Sequence, residues 1–410
     1  MRPGGYAHAR QTALLVFSAL SGLAFLPGGS SSAVSVRIGV LRKGLAGGGG
    51  RVFQWPRPGV RTFGGPIMGQ FKYLGGARAD DGSIYGIPGH AKRVLRIDPK
   101  TKEVQLIGPR LDGKFKWLRG VLAGDGCIYG IPAHADSVLK IKPSTGEVSH
   151  LPVPPGRWNR WKWHGGVLGP DGAVYGIPCN AGGVLKVVPE TGEVSVLGAL
   201  PEGCNKWYGG LLGNDGAIYG IPYNAAKILK IVPDTGEVSL FGELPEGSWK
   251  WHGGTIGPDG AIYGIPSHAQ QVLKIQPGGG ATLLGELSPK PFKWGGGAAD
   301  SRFVYGFPSN ADSVLKIDTV TNEVSLMENF QVPGKSKWQG GMLAKDGAIY
   351  AIPDRASGVL RIDSSGASVV ESDAGPMLGN FKWQGAVMAE DGTIYGLPNR
   401  AKSVLEIQPA

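Results

Sequence analysis

The sequence predicts an all-β, eight-bladed β-propeller of four-stranded antiparallel blades. Two observations carry that prediction: a tandem repeat of one constant length, and four short apolar runs punctuated by turn dipeptides inside every copy. The copies align on a Lys-Trp pair, with anchors at Tyr73, Trp117, Trp163, Trp207, Trp251, Trp294, Trp338 and Trp383 at steps of 44, 46, 44, 44, 43, 44 and 45 residues. Each reads approximately K-W-x-G-G-V-L-x-x-D-G-x-I-Y-G-I-P-x-[HNR]-A-x-x-V-L-K-I-x-P-x-T-G-E-V-S-L-L-G. A period of this length with four strands is that of a propeller blade. β-Solenoid rungs are shorter, and a sandwich needs about 100 residues per unit.

Within the third copy the strands are expected at 166–168 (a), 173–177 (b), 184–188 (c) and 193–197 (d). Asp171-Gly172 supplies the positive φ that a tight a–b hairpin demands, and Thr191-Gly192 does the same between c and d. No segment carries a 3.6-residue apolar period with caps, which excludes helix as a major element. The last copy stops soon after its strand c (404–407), while Val60-Arg-Thr-Phe63 before the first copy resembles a stray strand d. Pairing the two closes the ring and removes two open sheet edges. Val52–Trp55 resembles a strand c, so a split of two strands from each end stays open.

Three segments are expected. Residues 1–33 have the layout of a signal: Arg2 and Arg10 precede the apolar run Leu14–Leu26, and small residues end at Ala33. Residues 34–50 read as a Gly-rich linker or transit segment, and 51–410 as the propeller, with repeats starting near 71, 115, 161, 205, 249, 292, 336 and 381. This leader implies secretion or the secretory pathway, with plastid import by a bipartite leader as the alternative. The apolar run falls short of the roughly 18 residues a membrane span requires. The net charge of +10 also belongs to the leader side: eight Arg or Lys and no acid lie in 1–70, leaving 34 basic against 32 acidic residues beyond. A nearly neutral propeller argues against a nucleic-acid partner.

The runs Asp171–Val194 and Asp215–Val238 (D-G-x-[IV]-Y-G-I-P followed by [VI]-L-K-[VI]-V-P-x-T-G-E-V) resemble propellers of the virginiamycin B lyase and gluconolactonase (regucalcin-like) kind. Regular K-W-x-G-G and I-Y-G-I-P repeats also resemble large families of algal repeat proteins. The resemblance spans 71–410 and implies the fold. The divalent-ion set of the regucalcin-like enzymes and the histidine motif of the lyase have no counterpart that can be placed on this sequence, so activity does not follow.

Function is sought where the eightfold symmetry breaks. In a blade the b–c and d–a connections share one face, which receives the repeat lysines, Lys162, Lys206 and Lys250 among them. The same face collects a variable ring position: His90, His134, Asn180, Asn224, His268, Asn310, Arg355 and Arg400. The connection into the third copy, Arg157-Trp158-Asn159-Arg160-Trp161-Lys162-Trp163-His164, interleaves three Trp with cations, as a stacking platform for a sugar ring would. Tyr208 and His252 share the register of His164, and Arg119 replaces a repeat glycine. Trp158, Trp161, Lys162, His164, Lys206, Tyr208, Lys250 and His252, with the ring position, are therefore the candidate ligand-binding residues. The opposite face receives the repeated Asp, so the two faces are expected to be basic and acidic.

The bland readings stand beside these: the repeat Trp and Tyr as core, the Asp as turn chemistry, the ring-position Asn and His as loop ties. No Cys/His spacing of zinc-site type occurs, and no metal or cofactor is expected. No G-x-S-x-G, P-loop or H-E-x-x-H is present. Cys127 is expected unpaired, and Cys179 and Cys204 share a face on which a disulfide is open. The reading is a ligand-binding or interaction propeller, leaning away from catalysis, that takes an anionic glycan or small anion on a basic Lys/Trp-rich face. A lyase- or lactonase-type enzyme at the channel mouth and a protein-interaction scaffold are the alternatives.

Overall fold

The segment I-Y-G-I-P is apolar on both faces, and such a strand persists only where both faces are covered. In the computed structural model, which describes residues 58–156 and 160–410, this segment is strand b of every blade and is buried along its whole length. The described residues form eight four-stranded antiparallel sheets and no helix. In the third blade strand a is Trp163–Leu168, b Val174–Pro178, c Val184–Val188 and d Glu193–Leu197. Strands b to d fall within one residue of expectation. Strand a begins three residues early, at the Trp, because a bulge between Trp163 and Gly166 lets the chain pair again beyond an irregular step. Gly165 sits in that bulge with φ 77°, a conformation that favours glycine.

Each strand a packs against strand a of the next blade, so these strands form the inner wall of the ring. The repeat Trp wedges between blades. Trp163 is buried among Tyr129, Ile131 and Val138 of the second blade and Leu185 and Val187 of its own. Its Nε1 donates to the Gly183 carbonyl at 2.9 Å, so the one polar atom of the wedge is paired.

The ring closes as expected. Gly59–Phe63 pairs antiparallel with Val404–Gln408, from Gly59 opposite Gln408 to Phe63 opposite Val404, completing the eighth blade. Val60 is fully buried there against Trp383, Leu405 and Ile407. The leader, the linker and the Val52–Trp55 alternative lie outside the described residues.

At the end of the ring holding the a–b turns, one network recurs. Asp171 Oδ1 accepts the Ala173 N–H, and its Oδ2 accepts the Tyr175 hydroxyl at 2.8 Å and Lys186 Nζ at 3.0 Å. The second and fifth blades repeat it through Asp125–Tyr129–Lys140 and Asp259–Tyr263–Lys274. These carboxylates already hold a cation each, so the acidic face expected from sequence is internally compensated. At the closure seam Glu406 replaces the strand-c lysine and pairs instead with Arg61 at 2.8 Å and Lys102 at 3.2 Å.

Candidate functional site

The opposite end is built from the d–a and b–c connections, and the repeat lysines lie inside it. Lys337, 3% exposed, donates from Nζ to the carbonyls of Ser309 (3.0 Å), Ala311 (2.7 Å) and Gly334 (3.1 Å). The first two acceptors belong to the b–c loop of the preceding blade, so the lysine staples neighbours together. Lys162 reaches the Ala135 carbonyl and Asp136 Oδ1, Lys206 the Ala181 carbonyl, and Lys250 the Ala225 and Gly247 carbonyls. Lys72 spans the seam to Asn399 and Ala401. Burial pulls the ammonium groups of Lys116, Lys293 and Lys337 down to about 8, while the carbonyls around each favour the proton. The expected basic rim is thus corrected. Lys162, Lys206 and Lys250 are interior donors, because a long apolar stem lets a cation reach buried carbonyls that nothing else satisfies.

What faces the mouth instead is a collar of rings. The residue before each repeat lysine is aromatic in six blades (Phe71, Phe115, Trp161, Trp249, Phe292, Phe381) and adopts positive φ. These rings interleave with the ring position. His90 meets Phe115 at 4.2 Å between centroids, His134 meets Trp161 at 4.7 Å, and His268 meets Phe292 at 4.4 Å. Arg400 lies over Phe71 at 4.5 Å and Phe381 at 4.8 Å, and Arg355 over Phe381 at 5.1 Å. Trp158 of the expected platform lies outside the described residues.

The ring position divides by chemistry. Asn180, Asn224 and Asn310 accept the backbone N–H of Asn205, Trp249 and Ser336, tying one connection to the next. Asn180 and Asn224 also donate to the carbonyls of Arg160 and Cys204. His134 and His268 face the corresponding carbonyls of Lys114 and Ser248. Nε2 of His90, His134 and His268 is buried and finds no partner among the described residues. Burial and neighbouring cations push His90 and His134 down to about 4, so the collar imidazoles are neutral at physiological pH.

Deeper in the ring, strand a places a second variable layer. His164, Tyr208 and His252 are buried and stack in file, with centroids 3.7 and 4.2 Å apart. Burial holds His164 well below its ordinary value and the Tyr208 phenol well above. Tyr223 links this file to the collar, 5.0 Å from Tyr208 and 4.9 Å from Trp249. Beside Tyr208, Tyr223 and Cys179 is an enclosed space of about 10 Å³ for water centres, room for about one water. The seventh and eighth blades are polar at the same level. Gln339 donates to Asp354 Oδ2 at 3.0 Å, and Asn399 donates to Gln384 at 2.7 Å. Asp354 Oδ1 also accepts the Phe381 N–H, and burial pushes its carboxyl up to about 7.

No protein-family model matches the sequence, and no curated protein is significantly similar to it. Among solved structures the chain is similar to virginiamycin B lyase from Staphylococcus aureus, at 13% identity over 86% of this chain and 100% of that one, with a TM-score of 0.59. A streptogramin B lyase is similar at 15% identity over 86% and 97%, with a TM-score of 0.55. The extracellular domain of a hybrid two-component system from B. thetaiotaomicron is similar at 15% identity over 77% of this chain and 43% of that one, with a TM-score of 0.52. The likeness is one of fold. It agrees with the architecture and assigns no residue a role.

Sequence reasoning brought His164, Tyr208 and His252 together correctly as one register. It named Trp161 but missed that an aromatic residue recurs before the lysine in six blades, and it missed the variable residue after I-Y-G-I-P (Cys179, Tyr223, Asp354 and Asn399 among them). Recurrence of Phe or Trp in six copies was the available signal for the first. Cys179 is buried and Cys204 exposed, and neither is in a disulfide; Cys127 is also unpaired. Among the described residues no group of three His, Cys, Asp or Glu could hold a metal ion.

Proposed function

We propose that this is an exported ligand-binding propeller whose site is the aromatic mouth of the channel, and that its ligand is an anionic glycan. The carrying observation is that Asp, Tyr and Lys satisfy one another at the a–b end of the second, third and fifth blades, while at this end Nε2 of His90, His134 and His268 has no partner among the described residues. Rings presented edge and face around an opening suit the apolar face of a sugar. Arg355 and Arg400, stacked on Phe381 and Phe71, supply cations already held in place for a carboxylate or sulfate. Affinity then falls with salt, because the attraction is partly between charges.

The test is a binding screen of the full chain against uronate and sulfated oligosaccharides at two salt concentrations. Trp249→Ala and Arg400→Ala are each expected to weaken binding at least tenfold. Affinity unchanged in both variants removes the mouth from consideration. A second reading, an enzyme at the same mouth, is favoured by Asp354, a buried carboxyl pushed up to about 7 and so able to hold or yield a proton near neutrality. Turnover of a lactone panel that is lost in Asp354→Asn decides for it.

A further inference from the structure

The third residue of strand a is glycine in seven blades, all with positive φ, as at Gly165 and Gly209. In the second blade it is Arg119, with φ 63°. A non-glycine residue there carries backbone strain. The side chain passes between the glycines of the flanking blades. A Cβ on Gly165 would come within 3.1 Å of Arg119 Cδ, and one on Gly75 within 3.3 Å of Cγ. The arginine therefore runs close against two positions that carry no side chain. The lumen leaves the residue partly uncovered, but the charge lies deep in the ring and Nη2 is fully enclosed.

No carboxylate among the described residues compensates it. Among the described residues Arg119 makes no ion pair, and Nη2 has no hydrogen-bond partner. The group whose field it feels is the Tyr208 phenol, not a carboxylate. The residues outside the description cannot supply one either, since 1–57 and 157–159 contain no Asp or Glu. Arginine does not discharge in proteins, and a charge held away from bulk water without a counter-ion is destabilising. His164 on the next blade feels Arg119 as a repelling cation, so it is no substitute counter-ion.

We propose that Arg119 anchors an anionic group on the channel axis, a monocarboxylate head whose carbon skeleton lies along the His164–Tyr208–His252 file toward the collar. A planar guanidinium matches a carboxylate through two parallel N–H···O bonds. A single cation suits a small, singly charged head better than a phosphate dianion. The inference rests on the channel-mouth reading and extends it inward to a ligand class.

The experiment follows the melting temperature of the full chain in chloride-free buffer against sodium acetate, with inorganic phosphate and chloride at matched ionic strength. Wild type is expected to gain stability saturably with acetate, as a ligand binding only the folded state requires. Arg119→Gly restores the repeat residue, so it should fold, melt higher than wild type without anion, and lose the acetate increment. Arg119→Lys keeps the charge without the fork and should weaken the acetate response at least tenfold. An equal acetate response in wild type and Arg119→Gly, or none in wild type, overturns the proposal. A phosphate response exceeding that of acetate and lost in Arg119→Gly overturns the carboxylate assignment while keeping the anion. Loss of glycan binding is read separately on Trp249→Ala and Arg400→Ala, so failure at the collar and failure at Arg119 are distinguishable.

Discussion

The two ends of the ring are made from the same repeat and spend it differently. At the a–b end, Asp, Tyr and Lys of one blade satisfy one another, and the second, third and fifth blades do so with the same geometry. At the mouth, the conserved element of the repeat, lysine, turns inward to carbonyls, and the residues that vary are left facing the opening. A repeat can therefore hold its architecture at one end and in its interior while its mouth is free to differ from blade to blade. That separation is what allows a symmetric scaffold to carry an asymmetric site.

The largest effect that would break this contrast is expected from the staples. Lys337→Met leaves the Ser309, Ala311 and Gly334 carbonyls short of a donor and should cost roughly 3 kcal/mol. The urea midpoint checks it; a loss below about 1 kcal/mol would mean the lysine is a rim charge after all. Asp171→Ala removes the partner of Tyr175 and Lys186 at the other end and should cost about 1.5 kcal/mol without altering ligand affinity. An affinity change in that variant would show that the two ends are coupled.

The smallest effect concerns pH. His90 and His134 take up protons near 6.5 when unfolded but only near 4 when folded. The unfolded chain binds more protons between those values, so their contribution to stability is present above about 6.5 and falls as pH drops toward 4. Asp354 runs the other way: its folded value near 7 adds stability as pH falls from 7 toward 4. The measurement is accordingly a difference. The double variant His90→Asn, His134→Asn, which copies the third and fourth blades, should lose less stability than wild type between pH 6.5 and 4. Parallel curves for the two proteins would place these imidazoles in solvent.

Much of the fold was legible because its signals are local. Asp-Gly and Thr-Gly mark hairpins within a few residues, and an uninterrupted I-Y-G-I-P marks a strand covered on both faces. Even the closing strand was visible, since Val60–Phe63 carries the pattern the last copy lacks. The site was legible only in part. The register of His164, Tyr208 and His252 follows from the repeat, and so does the alternation of His, Asn and Arg. The fate of the lysines does not. A lysine beside a Trp reads as exposed on composition alone, and only the approach of the preceding blade's b–c loop supplies the carbonyls that draw it inside. Asp354 was overlooked for the same reason: the position after I-Y-G-I-P is a loop residue in one blade and becomes channel wall only when eight blades close.

The amino-acid sequence by itself determined the blade count, the strand order, the closing strand and the positions at which the symmetry breaks, because each depends on contacts within one repeat or on matching two chain ends. The tertiary structure alone decided where Asp, Tyr and Lys satisfy one another, that the repeat lysines are interior, and that Arg119 Nη2 is enclosed with no carboxylate partner among the described residues. Those outcomes depend on which groups of neighbouring blades meet and how far from water they meet. Burial of a charge is a property of the closed ring and cannot be read from any single copy.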